Sequence, residues 1–399
     1  MTLRRVALAG PVRLDVLAAD LDDPVPAGAE AISGGSPVTH LVRGWRRRGV
    51  EVVVATLAHG VAAPTVLRGD GLTVHVGPYR PAHRARDAFR AEREAVAAAL
   101  AGSGADVAHA HWTYEFALGA LASGLPSVVT VRDWAPAILR HHPHPYRVVR
   151  LGMAAAVLRR ADHVTVTSPY LEARVRRVTR RPPALVPNAV DDAEVLDLDA
   201  VAPRPRDPDA PVLVSVNNGW GHRKNVATLL QAFALVRAER PHATLRLVGS
   251  GHGPGQEAEA WAGPRGLLDG VELVGALPHP AAMAAVADAD LLVHPSREES
   301  FGLTLVEAMV RGVPVVAGAG AGAVPWVADD GRAAVLVDVG SPPALAAGVA
   351  RVLDDVAATR ARTVHAHAHA RARFTVDAVL DRYAEVYERA TVEGPRRAR

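Results

Sequence analysis

Apolar runs of three to five residues recur along the chain, separated by longer stretches in which apolar residues return with a helical period. In the first half the runs cover residues 6–9, 52–55, 72–76, 107–110, 128–131 and 164–167. In the second half they cover 212–216, 245–248, 271–274, 291–293, 315–317 and 334–337. Helical patterns lie between most of them, for example at 84–100 and 228–237. Strands buried on both faces need such unbroken apolar runs, and their alternation with helices predicts parallel sheets covered by helices. The expected fold class is α/β, with doubly wound, Rossmann-like domains. Residues 197–209 are rich in proline and charge and have the composition of a linker. They separate an N-terminal domain at 1–200 from a C-terminal domain at 201–375. In the last segment, 376–399, a helical pattern carries Tyr383 and Tyr387 on one face and ends in a small, polar, basic tail.

Composition narrows the classes. The 399 residues are 49% hydrophobic and 22% charged, which is globular rather than disordered. No run approaches a membrane span and the start lacks a signal-peptide core, so a cytoplasmic protein is expected. The absence of cysteine excludes disulfides, thiol catalysis and cysteine-ligated zinc. A net charge of +3 is no nucleic-acid signature. Basic clusters at Arg46-Arg47-Arg48 and from Arg174 to Arg181 are usually solvated helix faces, with a weak peripheral membrane contact as the alternative. His141-His-Pro-His144 lies in a proline-rich loop, and His365, His367 and His369 are read as lacking carboxylate partners, so no metal site is expected. The oligomeric state stays open.

The most informative segment runs from His294 to Gly318, HPSREESFGLTLVEAMVRGVPVVAG. Two glutamates, Glu299 and Glu307, bracket Ser-Phe-Gly-Leu-Thr-Leu-Val. A buried strand precedes them and a helix with Leu305, Ala308 and Met309 on one face follows, ended by Arg311-Gly312. Glu299 then sits in a strand-to-helix loop and Glu307 on the helix. In open α/β sheets ligands bind at such carboxyl ends, and free N–H groups of a helix start favour an anion. Taken alone, Thr304 and Glu307 also have the spacing of a capping box.

This segment resembles the retaining glycosyltransferases of family 4, whose two-domain fold is called GT-B. Their pattern of Pro-Ser, E-x7-E, Phe-Gly and Glu-Ala-Met is met by Pro295-Ser296, Glu299 and Glu307, Phe301-Gly302 and Glu307-Ala308-Met309. The resemblance implies that Glu307 accepts hydrogen bonds from a donor ribose and that Glu299 sits beside the transferred sugar. The backbone of Gly302, Leu303 and Thr304 would face sugar and phosphates, with Phe301 also among the donor-binding residues. Of the 45 Lys and Arg residues one is a lysine, Lys224, at the family's diphosphate-binding offset. The arginine expected beside it is replaced by Asn218, with Arg223 as the alternative cation. Gly34-Gly35 before a helix start resembles the first-domain glycine loop, though two glycines also fit a plain turn. His111 matches a position touching the donor sugar, with a core histidine as its other reading. Gly275 and Leu277 would lie near the base, and Trp112 and Asp133 on the acceptor side. Arg132 and Trp326 depart from the family pattern, which has His-Asp and Pro-Glu there. Gly318 to Gly322 aligns with a glycine loop beside the donor. In the family the final helix crosses back to the first domain.

The implied activity is transfer of a hexosyl or N-acetylhexosaminyl group from a nucleoside diphosphate sugar, UDP favoured, to a hydroxyl acceptor, with retention. The cleft between the domains is the expected site. Glu299, His111 and Lys224 would carry the chemistry, without metal or cofactor. The alternatives are a sugar-nucleotide epimerase or phosphorylase of the same architecture, or a nucleotide-sugar-binding protein without transfer.

Overall fold

The computed structural model describes residues 3–32, 34–198, 207 and 209–394. Much of 197–209, with its linker composition, lies outside them, as does the tail beyond 394. The chain forms two compact units, residues 1–191 with 376–399, and residues 192–375.

The first unit is built on a sheet of nine strands among the described residues. They are β1 (Arg5–Ala9), β2 (Glu30–Ala31), β3 (Glu51–His59), β4 (Thr65–Gly69), β5 (Leu72–Pro78), β6 (Val107–His111), β7 (Ser127–Val131), β8 (His163–Val166) and β9 (Ala184–Leu185). The order is β4-β5-β3-β1-β6-β7-β8-β9, with β2 paired to β3. All pairs are parallel except β4 on β5 and β2 on β3. Side chains alternate across β1: Ala7 and Ala9 enter one apolar cluster, Val6 and Leu8 the other. The second cluster is closed by the final helix, Val376–Glu393, through Val376, Val379, Leu380, Tyr383, Val386, Tyr387 and Ala390. Both sheet faces are thus covered, which is why central strands such as β1, β3 and β7 are buried along nearly their whole length.

The second unit holds six parallel strands, β10 (Val212–Val216), β11 (Thr244–Val248), β12 (Val271–Gly275), β13 (Leu291–His294), β14 (Val315–Gly318) and β15 (Val335–Val337), in the order β12-β11-β10-β13-β14-β15. This is the doubly wound arrangement predicted from the pattern. Strand order reverses between β10 and β13, which are adjacent with Leu213 opposite Leu291. In the first unit it reverses between β1 and β6, with Val6 opposite Val107. Loops leaving neighbouring strands at a reversal diverge to opposite faces and leave a crevice at their carboxyl ends, the usual ligand position in such sheets. Among the described residues no helix is long and apolar enough to cross a membrane.

Candidate active site

In the second unit the crevice is lined by the loop after β10, carrying Lys224, and the loop after β13, carrying Glu299. Lys224 Nζ donates to Glu299 Oε1 at 2.6 Å. Arg223 Nη1 lies 3.9 Å from Glu299 Oε2, and His294 Nε2 lies 3.4 Å from Oε1. The His294 ring is buried, and Glu299 is the polar side chain its Nε2 faces. Burial alone would raise the Glu299 pKa, but Lys224, His294 and Arg223 hold it well below the usual carboxylate range. The loop therefore keeps one fixed negative charge against a cluster of donors.

The backbone around this pair is over-determined. Asn225, left-handed at φ 58°, donates from Nδ2 to Pro295 O at 3.0 Å and Val339 O at 2.7 Å. Its Oδ1 accepts from Thr228 Oγ1 at 2.6 Å and Arg297 Nε at 3.0 Å. One buried amide thus ties the loop after β10 to the segments that follow β13 and β15. The glycine loop after β14 lies against Glu299: Ala323 N donates to Glu299 O at 2.9 Å, and a Cβ on Gly322 would stand 2.3 Å from that oxygen.

Glu307 is buried on the helix Leu303–Met309, where Oε1 meets His279 Nε2 at 3.0 Å. The helix is capped by Gly302 at φ 94° with no side-chain cap bond, so Glu307 does not close a capping box with Thr304. The hydrogen bond to Glu307 raises the His279 pKa against the lowering by burial, with further help from Glu194 and opposition from Arg311.

In the first unit three loops meet at the reversal between β1 and β6. A Cβ on Gly35 would stand 2.6 Å from Val12 C, and one on Gly34 would stand 3.2 Å from the Trp112 ring. Gly10 would bring a Cβ 3.2 Å from His111 Cβ. Trp112 itself is left-handed at φ 66°. His111 is fully buried and its Nδ1 accepts from Arg132 Nε at 3.2 Å and Nη2 at 2.7 Å. Since guanidinium nitrogens only donate, the His111 proton must sit on Nε2, which has no partner. Burial, then His109 and Arg132, push its pKa well down, so the ring is neutral. The result is a preset N–H donor. Asp133 accepts from Tyr114 Oη at 2.8 Å and lines, with Trp134, Leu151 and Leu158, an almost wholly apolar cavity of about 170 Å³.

Residues 36–194 match Glycosyltransferase Family 4 and residues 201–368 match Glycosyl transferases group 1. The D-inositol 3-phosphate glycosyltransferase of Thermobispora bispora is 33% identical over 312 residues, 71% of each chain. This chain belongs to the group 1, family 4 glycosyltransferases. The phosphatidyl-myo-inositol mannosyltransferase of Mycobacterium leprae is 27% identical over 93% of this glycosyltransferase and 95% of its own chain. Among solved structures, sucrose-phosphate synthase from Thermosynechococcus elongatus superposes with a TM-score of 0.77 at 24% identity, covering 98% of this chain and 100% of its own. Anabaena HepE in complex with UDP-glucose gives 0.69 at 19%, covering 96% and 99%. These superpositions make the architecture GT-B.

The fold of this glycosyltransferase brings Lys224, Arg223 and Glu299 together in one unit, and Gly34, Gly35, His111 and Trp112 in the other. Three residues expected at the donor carry internal contacts of their own. The Phe301 ring is buried against Phe374 at 5.5 Å and Trp326 at 6.3 Å, so it anchors the loop instead of offering a face to a ligand. Asn218 Oδ1 accepts from Ser250 N at 3.3 Å and braces the neighbouring turn. Gly275 is a packing position, where a Cβ would stand 3.0 Å from Gly253 Cα. Leu277 is partly exposed, and Leu303 and Thr304 are half-buried in the first helical turn. Arg132 and Trp326, departures from the family pattern, have defined work: one fixes the His111 tautomer, the other packs on Phe301 and Phe374. Sequence reasoning missed Asn225, His279 and His294. Only Asn225 carried a signal, as an asparagine directly before a helix.

Proposed function

We propose that this glycosyltransferase moves a sugar from a nucleoside diphosphate sugar, UDP favoured, to a hydroxyl acceptor with retention at the anomeric carbon. The observation that carries it is the Lys224–Glu299 pair at the strand-order reversal, with Arg223 alongside. An ammonium has three donors, so Lys224 can hold Glu299 and still meet a phosphate oxygen. Glu299, kept ionised, accepts from sugar hydroxyls, and Glu307 accepts from ribose hydroxyls. The neutral His111 offers its Nε2–H to the sugar. The acceptor oxygen forms its bond to the anomeric carbon as the bond to diphosphate breaks, and its proton passes to the leaving phosphate oxygen. In this reading the protein contributes positioning and charge neutralisation, and the Lys224 and Arg223 cations take the part a divalent ion or cofactor would otherwise play. HepE, solved with UDP-glucose, supports the choice of base. The two bacterial relatives, named for inositol-containing acceptors, support a polyol hydroxyl as acceptor.

The test is a panel of UDP-, GDP-, ADP- and dTDP-sugars with inositol phosphates and simple polyols as acceptors. Released nucleoside diphosphate and product are measured, and proton NMR couplings give the anomeric configuration. Transfer with retained configuration is expected. An inverted product would overturn retention, and transfer from sugar 1-phosphates alone would overturn the donor class.

A further inference from the structure

The histidine run at His365, His367 and His369 reads as lacking a carboxylate partner in sequence, but the fold supplies one. Asp329, after the short helix Val324–Val327, faces the helix Val356–Phe374. Its Oδ2 lies 2.8 Å from His365 Nε2 and 3.8 Å from His369 Nδ1. The two histidines stand one turn apart with nearly parallel rings, 22° between planes. One ligand atom from each of the three residues lies within 4.8 Å of the other two. His367 points elsewhere, to Leu196 O.

Two details separate this from a surface ion pair. The His369 side chain is 7% exposed, its Nε2 is buried without a partner and its Nδ1 stops 3.8 Å short of Asp329. Nδ1 is the nitrogen that faces Asp329, and its gap of 3.8 Å is too long for a direct hydrogen bond and leaves room for an ion between the two. Arg332 Nη2 takes the other carboxylate oxygen, Oδ1, at 2.8 Å and so turns Oδ2 toward both rings. That is the outer support commonly found behind a ligating carboxylate. Two ligands of a tetrahedral zinc ion at about 2.0 Å stand roughly 3.3 Å apart. The observed 2.8 and 3.8 Å lie on either side of that value.

We propose that Asp329, His365 and His369 form a binding site for a divalent late transition ion such as zinc. Two imidazoles and a carboxylate suit that class and not magnesium or calcium, which favour oxygen ligands throughout. The fourth position opens to water on the side of His365, 43% exposed. The ion staples the turn at Asp329 to the helix Val356–Phe374. His369 is in ring contact with Phe374 at 5.4 Å, and Phe374 with Phe301 at 5.5 Å, so the staple adjoins the anchor of the Glu299 loop. The role is structural and separate from the diphosphate. Nearby Arg332 and Arg373 oppose a cation and make the site one of moderate affinity.

The test uses untagged full-length protein, stripped with chelator and titrated with cobalt(II) and then zinc. Cobalt should give the visible bands of a tetrahedral site at one equivalent, bleached by zinc, and saturating zinc should raise Tm by about 5 °C. His365→Ala, at an exposed position, and Asp329→Asn should each weaken binding at least about tenfold. His144→Ala, in the other histidine cluster, should leave it unchanged. Absence of saturable one-equivalent binding, or binding untouched in both site variants, overturns the proposal.

Discussion

Glu307 and Glu299 perform different tasks with the same carboxylate, and substitution separates them. Glu307→Ala should raise donor Kd about 10- to 100-fold, the loss of about two charge-assisted hydrogen bonds, read by calorimetry with nucleoside diphosphate. Unchanged affinity in a folded variant would remove the ribose assignment. Glu299→Ala should lower kcat by more than it weakens free nucleoside diphosphate, which has no sugar to contact; equal losses would count against placing Glu299 at the sugar. His279 gives a pH signature. Its pKa is raised from 6.5 by Glu307, so the pair stabilises the fold fully below 6.5. That contribution is lost as pH rises through the raised value. A histidine NMR titration should place the His279 midpoint above 6.5 in the wild type and return it to 6.5 or lower in Glu307→Gln. A midpoint that does not move would show the hydrogen bond absent in solution. Glu299, Glu307 and Lys224 were legible because their signals lie in fixed local spacing. Their neighbours were not: the hydrogen bond from Lys224 to Glu299 spans 75 positions and that from His279 to Glu307 spans 28, distances that only the strand order closes.

At the scale of elements, apolar runs marked all six strands of the second unit, edges included, but not the edge strands β4 and β9 of the first. Thr65–Gly69 buries only Leu67, so β4 left no apolar run to find. The helix expected over 84–100 starts at Arg90, because Ala88 and Phe89 adopt left-handed backbone that periodicity does not report. The final helix was legible from its tyrosine face, but the reason for tyrosine there came from the fold. Tyr387 Oη meets His109 Nδ1 at 2.6 Å, and His109 Nε2 meets Thr130 Oγ1 at 2.6 Å, all buried. Tyr383 Oη reaches Thr130 at 3.3 Å. Burial pushes the His109 pKa well down, so the ring is neutral and needs one donor and one acceptor neighbour. Tyr387→Phe strands a buried ring nitrogen and should cost about 1–3 kcal/mol in urea unfolding. Tyr383→Phe, losing the longer contact, should cost less. Equal and negligible losses would mean that the helix is held by apolar packing alone.

For the whole molecule, the two units repeat one rule: each reverses strand order once and gathers its unusual residues there. The first unit collects glycines, His111 and Trp112; the second collects the protein's single lysine. That solitude makes Lys224 testable without mutation. An amine-acylating reagent has two targets in the chain, Lys224 Nζ and the α-amine. Lys224 is 18% exposed and hydrogen-bonded to Glu299, so it should label more slowly than the α-amine. Acylation removes the ammonium charge and two of its donors, so activity should fall in step with this one modification. Bound nucleoside diphosphate should protect Lys224 and leave the α-amine reactive, while free nucleoside, with no phosphate to cover the lysine, should protect it much less. Peptide mass spectrometry reads both sites in one sample. Glu299→Gln supplies the control: it weakens the internal pair, so labelling without ligand should speed up, whereas protection by diphosphate should persist because it comes from the phosphate. If Lys224 labels equally fast with and without saturating nucleoside diphosphate, or if its acylation leaves transfer intact, the lysine serves Glu299 alone and the departing diphosphate must be neutralised elsewhere.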